Sequence, residues 1–200
     1  MNLSIKTPSF GDVAFSRTTG WVSRVTCNIT DGPASHQFSF RSPDYIVEMD
    51  SGHNGIVTTS WNGKKKWMLE NGAEYLVVHR IAPLTDDERG KLECLFDWQD
   101  KKYKYSFAEL GLQAMDYGRV KTRHIDRLSN VAIYWRKLGD IKKNWVICSK
   151  ESNESMVMIH SAPSWAVYWS PNDSLCYFQK QNGLFEIVEV SNGFFDWPKK

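Results

Sequence analysis

Apolar and polar residues alternate in several stretches of the first eighty positions. "DVAFSR", residues 12–17, alternates after a Gly11 turn, and residues 35–42 place Phe38 and Phe40 on one face with His36 in phase. "DYIVEMDS", 44–51, and "GIVTTSW", 55–61, follow, with the hairpin signal "GHNG" between them. "EYLVVHRI", 74–81, is another β-rich run. Runs of this kind predict strands. Between the first two, "TGWVSRVTCNIT" predicts a short helix carrying Trp21, Val22 and Val25 on one side.

The pattern changes at Pro83. Thr85 with Glu88 three residues on is a capping box, and acids fill the first turn. Leu92, Leu95, Phe96 and Gln99 then follow helical spacing. "FAELGLQAM", 107–115, and "HIDRLSNVAIYWRKLG", 124–139, also predict helices, and "LFEIVEVSNG" near the end returns to a strand. Strands, then helices, then a last strand make an α+β fold rather than alternating βαβ units, and no linker divides residues 1–200 into more than one domain.

Composition narrows the function classes. Aromatics reach 14% with nine Trp, favouring a sheet-rich core with aromatic surface left for a groove. A net charge of +2 is too small to argue for nucleic acid, and Lys64–Lys66 and Lys101–Lys102 read as solvated turns. Cys27, Cys94, Cys148 and Cys176 form no CxxC or CxxH pair, so neither a metal nor a cofactor is expected. The opening "MNLSIKTPSFGD" has no apolar signal core, and no window approaches the roughly 18 apolar residues of a membrane span. The expectation is a cytoplasmic protein with reduced thiols.

Nucleotide, serine-hydrolase and zinc-protease motifs are absent. Of five histidines, His53 falls at a hairpin tip, His79 in a strand, and His160 twelve residues after Cys148. His36 begins a strand, and Glu48 lies twelve residues later in the next one. A hairpin turning near residues 42 and 43 sets positions summing to about 84–86 opposite each other, which brings His36 and Glu48 side by side, about 5 Å apart at Cβ. A carboxylate there fixes the imidazole tautomer and supports its charged form; a plain cross-strand polar pair has the same spacing. Cys148, in "NWVICSKESNES", stands where a strand-like approach meets a polar helix start. A helix N-terminus and a neighbouring imidazolium both lower a thiol pKa, whereas an inert cysteine capping a core element, as assigned to Cys27, Cys94 and Cys176, has the same local pattern.

"GDVAFSRTTGWVSR", "SHQFSF", "YIVEMDSG", "WVICSKE" and "SPNDSL", in that order, resemble the circularly permuted branch of the NlpC/P60 (papain-like) superfamily, the YiiX/YaeF type of bacteria, phages and poxviruses. The resemblance spans roughly residues 10–190. It implies a permuted papain-like fold, a small antiparallel sheet or barrel packed on helices. Cys148 would be the nucleophile at a helix start, His36 the base and Glu48 the orienting residue. The chain departs from the family in having Ser149-Lys150-Glu151 where Ser-Glu is common, and Ser106 where Asp is common. The implied activity is a cysteine hydrolase or acyltransferase acting on an amide, peptide or (thio)ester, including acyl-lipid substrates. The alternative is a catalytically silent fold that binds a host protein or a lipid through Trp21, Trp61, Trp67, Trp165 and Trp169.

Overall fold

The computed structural model describes residues 6–50, 52–105, 145–146, 148–159, 161–164, 170–181 and 183–196. Its framework is a six-stranded antiparallel sheet of β1 (Val13–Arg17), β2 (His36–Ser42), β3 (Tyr45–Asp50), β4 (Gly55–Ser60), β5 (Glu74–Arg80) and β8 (Phe185–Val190), ordered β4-β3-β2-β1-β5-β8. A short parallel pair, β6 (Lys104–Tyr105) and β7 (Trp145–Val146), forms a second sheet, with β6 beside β3 and β4. The helices are α1 (Trp21–Thr30), α2 (Trp61–Glu70), α3 (Asp86–Lys102), α4 (Cys148–Met158) and α5 (Pro171–Lys180). The architecture is α+β.

Alternation along the strands produces two cores. One face presents Ala14, Phe38, Phe40, Ile46, Tyr75 and Val77, and α2 covers it with Trp61 and Met68. The Trp61 ring stands edge-on to Phe40 and Tyr75. The other face presents Val13, Phe15, Leu76, Val78 and Ile187 to Met156 of α4 and to Leu175 and Phe178 of α5. The strongly alternating strands are found within a residue or two of the sequence expectation, as is the Thr85 capping box, formed in both directions with Glu88.

Two elements differ from expectation. Residues 64–66 are not a solvated turn. They belong to α2, whose buried residues are only Trp61 and Met68, and the three consecutive lysines mask that spacing. The α1 helix forms, yet Trp21, Val22 and Val25 face outward while Ser23 and Cys27 are buried. The helices expected over 107–115 and 124–139 lie outside the described residues.

The turn before β1 is held by Asp12. Its carboxylate accepts from Ser9 N at 2.7 Å and from His79 Nδ1 at 2.7 Å. Gly11, at φ 87°, makes the left-handed turn that allows this, since a side chain there is strained and would press on Leu84 and Leu92. The "GD" pair thus ties β1 to β5. His79, read as a sheet residue, is one, and its hydrogen bond to Asp12 raises its pKa despite burial.

Candidate functional site

The His36 imidazole and the Glu48 carboxylate meet: His36 Nε2 lies 2.9 Å from Glu48 Oε2. The β2–β3 register pairs Ser39 with Val47 and Phe40 with Ile46, then shifts at a bulge between Phe40 and Ser42. Continued along the strands, this register sets Glu48 opposite Phe38, so His36 reaches it along the diagonal instead of directly across. Both residues lie on the α2 face, because Ser16 pairs with His36 and Ala14 with Phe38.

A third residue completes the cluster. Lys64 Nζ donates to both Glu48 oxygens at 2.7 Å, and the same ammonium lies 5.2 Å from the centre of the Trp67 ring. Glu48 is buried, at 4% exposure. Burial alone would raise its pKa. The hydrogen bond and charge of His36, with those of Lys64, more than offset that and hold the carboxyl at about 2. Glu48 is therefore a charged acceptor at neutral pH, held between two donors. Lys64 was missed from sequence because three adjacent lysines look alike; helical phase turns Lys64 to Glu48 and Lys65 to Glu189 of β8, and leaves Lys66 exposed.

Cys148 is the first residue of α4, and its side chain lies outside the described residues. The helix it opens packs against β2 and β3, on the face opposite His36. His36 is the first residue of β2, at the end of the sheet, and its charge acts across to Glu151 in the first turn of α4. His160 lies outside the described residues. Of the other thiols, Cys27 is buried and its pKa is pushed up to about 11, chiefly by burial. Cys94 and Cys176 are exposed, so the expectation that they cap core elements is corrected: Cys94 and Cys176 are at outward positions of α3 and α5.

The polar run "SKESNES" is deeply buried at its described positions. Ser149, Glu151, Ser152 and Asn153 have no exposed surface, and Ser155 almost none. Asn153 Oδ1 accepts from Gln37 Nε2 at 3.1 Å and from Ser174 Oγ at 2.8 Å, tying α4 to β2 and α5. Gln99 Nε2 of α3 donates to Glu151 O at 3.3 Å and to Glu154 Oε2 at 3.0 Å. Glu151 Oε2 accepts from Ser152 Oγ at 2.9 Å. Complete burial still raises the Glu151 pKa to about 8, with the Ser152 and Ser39 hydroxyls opposing the rise, so this carboxyl is mostly neutral at pH 7.

The "SPNDSL" segment positions the histidine strand. Ser170 and Asp173 form a capping box at the start of α5, with Pro171 as its first residue. Asn172 then reaches back to the loop before β2: its Oδ1 accepts from Ala34 N at 2.8 Å and its Nδ2 donates to Ala34 O at 2.8 Å. A Cβ at Gly32 would lie 2.5 Å from the Asn172 side chain, so glycine is required for the approach. Ala34 is two residues before His36.

An open, mostly apolar cleft of about 490 Å³ runs between α3 and α4, lined by Leu95, Trp98, Tyr103, Val157 and Met158 with Lys91 and Glu154 at its rim. Val157 is nine residues beyond Cys148, about 14 Å along the helix axis, so the cleft is separate from the start of α4. Of the tryptophans expected to line a groove, Trp61 is a core residue, Trp21 and Trp67 are exposed, and Trp165 and Trp169 lie outside the described residues. Among the described residues no three His, Cys, Asp or Glu side chains converge as a metal site, and no helix is long and apolar enough to cross a membrane.

No protein-family model matches the chain, and no curated protein does. Among solved structures, the crystal structure of metalloprotein YiiX from Escherichia coli O157:H7 (DUF1105) aligns with 96% of this chain and 94% of its own, at 17% identity and a TM-score of 0.49.

Proposed function

We propose that the protein is a cysteine-nucleophile hydrolase or acyltransferase acting on an amide, peptide or (thio)ester bond, in a permuted papain-like fold. Cys148 is the nucleophile, His36 the general base and Glu48 the orienting carboxylate. The observation that supports this reading best is the short contact of His36 Nε2 with the buried, charged Glu48. Glu48 engages Nε2, so Nδ1 is the nitrogen through which the base acts. A charged carboxylate on one ring nitrogen stabilises the imidazolium formed when the other takes the thiol proton. The placement of Cys148 at a helix N-terminus supports the nucleophile's role, since the first-turn N–H groups favour a thiolate and can receive a developing oxyanion.

In this reading the Cys148 thiolate attacks the carbonyl carbon and the carbonyl electrons move to oxygen. Collapse of the tetrahedral adduct expels the amine, alcohol or thiol, which takes the proton from His36. Water, deprotonated by His36, then attacks the acyl-enzyme, or an acceptor nucleophile takes the acyl group. The second reading, a silent fold that binds a protein or lipid, draws on the exposed Trp21 and Trp67.

The test is alkylation of the native protein by iodoacetamide across pH, with each thiol mapped by mass. Cys94 and Cys176, both exposed, serve as internal references. The expected result is rapid modification of Cys148 below about pH 7, ahead of the two reference thiols, and loss of that lead in His36→Ala. A Cys148 that follows the reference thiols, or whose reactivity ignores His36, overturns the catalytic reading.

A further inference from the structure

We infer that Lys64 is a positioning residue of the proposed reaction: it pins the Glu48 carboxylate against His36 and balances its charge, so that the imidazole is held ready to accept a proton. The inference rests on the reading of His36 as the base. Lys64 acts through Glu48, whose two oxygens take both of its contacts at 2.7 Å.

The fold builds this contact. β4 runs into α2 without a loop, with Ser60 capping the helix and Trp61 N donating to Asp44 O at 2.7 Å. The Trp61 ring anchors α2 on Phe38 and Phe40, and Lys64 follows three residues on, so it lies on much the same side of the helix. The Phe38 ring then neighbours both cation-forming groups. Its centre is 5.8 Å from that of the His36 ring and 5.9 Å from Lys64 Nζ. The Trp67 ring, 5.2 Å from the ammonium, flanks it as well. The Lys64 side chain is 17% exposed, against 78% for Lys66. Stability alone does not ask for this lysine, since a buried ion pair gains little over an apolar residue of similar volume.

Charge explains what the lysine adds. A poorly solvated cluster favours the protonation state in which its charges sum to zero. Glu48 with His36 alone reaches that state when His36 is an imidazolium. With Lys64 on the same carboxylate, the cluster reaches it when His36 is neutral. His36 Nε2 and Lys64 Nζ share Oε2, so a charge on the ring would stand beside the ammonium, and like charges oppose each other. Among the described residues, the other groups facing His36 do not reverse this. Glu151 of α4 is mostly neutral at pH 7, and β1 presents Ser16 opposite His36. Proton transfer then breaks the Cys148 S–H bond and forms an N–H bond at His36 Nδ1. It creates a thiolate and an imidazolium together, and the site sums to zero before and after the step.

Titration of His36 by NMR in the full chain, its imidazole signal assigned from His36→Gln, tests the inference. Lys64→Met should raise the His36 midpoint by about one pH unit or more. Lys64→Gln, which keeps a donor without the charge, should raise it too, and Lys64→Arg should leave it near that of the parent. In a Glu48→Gln background the Lys64→Met change should move it much less, because nothing then holds the ammonium beside the ring. Lys65→Met, which breaks the neighbouring 3.1 Å pair with Glu189, should leave His36 where it was. Thermal melts check folding; if Lys64→Met is unfolded, Lys64→Gln decides. An unchanged midpoint in the Lys64 variants overturns the inference. So does a fall, the outcome of a carboxylate that swings away from His36. Iodoacetamide profiles of Cys148 keep the two readings apart. A lost Cys148 lead with the His36 shift intact overturns the catalytic reading and with it the place of Lys64 in a reaction. An intact lead with no His36 shift overturns this inference alone.

Discussion

Glu48 is a carboxylate almost out of reach of water, with His36 on one oxygen and Lys64 on both. Its pKa of about 2 lies below the ordinary 4.5. Its contribution to stability is therefore present above about pH 4.5 and is lost as pH falls toward 2, a difference of roughly 3 kcal/mol. Unfolding free energy measured by denaturant between pH 2 and 7 should show that acid limb. Glu48→Gln should flatten it. Lys64→Met, which leaves a buried charge with less compensation, should move it to higher pH, and Lys64→Arg should restore part of the loss. An acid limb unchanged in Lys64→Met would show that the short Lys64 contacts add nothing to the carboxylate. The histidine–glutamate pairing was legible because two short strands joined by a tight turn leave little freedom of register. The lysine was not, since its role depends on a helix hidden in a run of like charges.

For whole elements, α4 shows why a polar pattern misleads. A helix reading Ser-Lys-Glu-Ser-Asn-Glu-Ser looks like a solvent face, yet its residues satisfy each other, Gln37, Gln99 and Ser174 within the core. Burying such groups is tolerable only where each has a partner, and no periodicity announces partners that are supplied by three other elements. Ser149 Oγ and Glu151 Oε1 are exceptions, neither having a partner in hydrogen-bond geometry among the described residues, and the Glu151 pKa is raised to about 8. A raised carboxyl leaves the fold most stable below its unfolded value near 4.5 and weakens it as pH climbs through 8. Glu151→Gln should therefore remove an alkaline loss of stability and make the protein more stable than the parent at pH 9, as read by thermal melts across pH. A parent with flat stability from pH 6 to 9 would contradict a neutral buried Glu151. The "SPNDSL" run was similarly visible as a motif but not as a helix, because its meaning lies in Asn172 bonding to a loop 138 residues away.

Over the whole molecule, strand identity and the α+β class follow from period-two alternation, each strand sending successive side chains to opposite faces of the sheet. Which helix covers which face does not follow, since both faces of this sheet are apolar and either could receive either helix. The sheet also mixes distances along the chain. β2, β3 and β4 are successive hairpins, whereas β1 waits for β5 and β5 for β8. Residues 36 and 48 therefore meet within one hairpin, but Cys148 comes 100 positions after Glu48. At ribosomal speeds of about 5–20 residues per second, some 5–20 s separate the synthesis of the histidine–glutamate pair from that of the residue that opens α4. During that interval Gln37 lacks its Asn153 partner and the β2–β3 face is uncovered. The nascent chain thus carries the His36–Glu48 pair well before the residue that opens α4, and under the proposed reading any chemistry there is withheld until most of the polypeptide has been made.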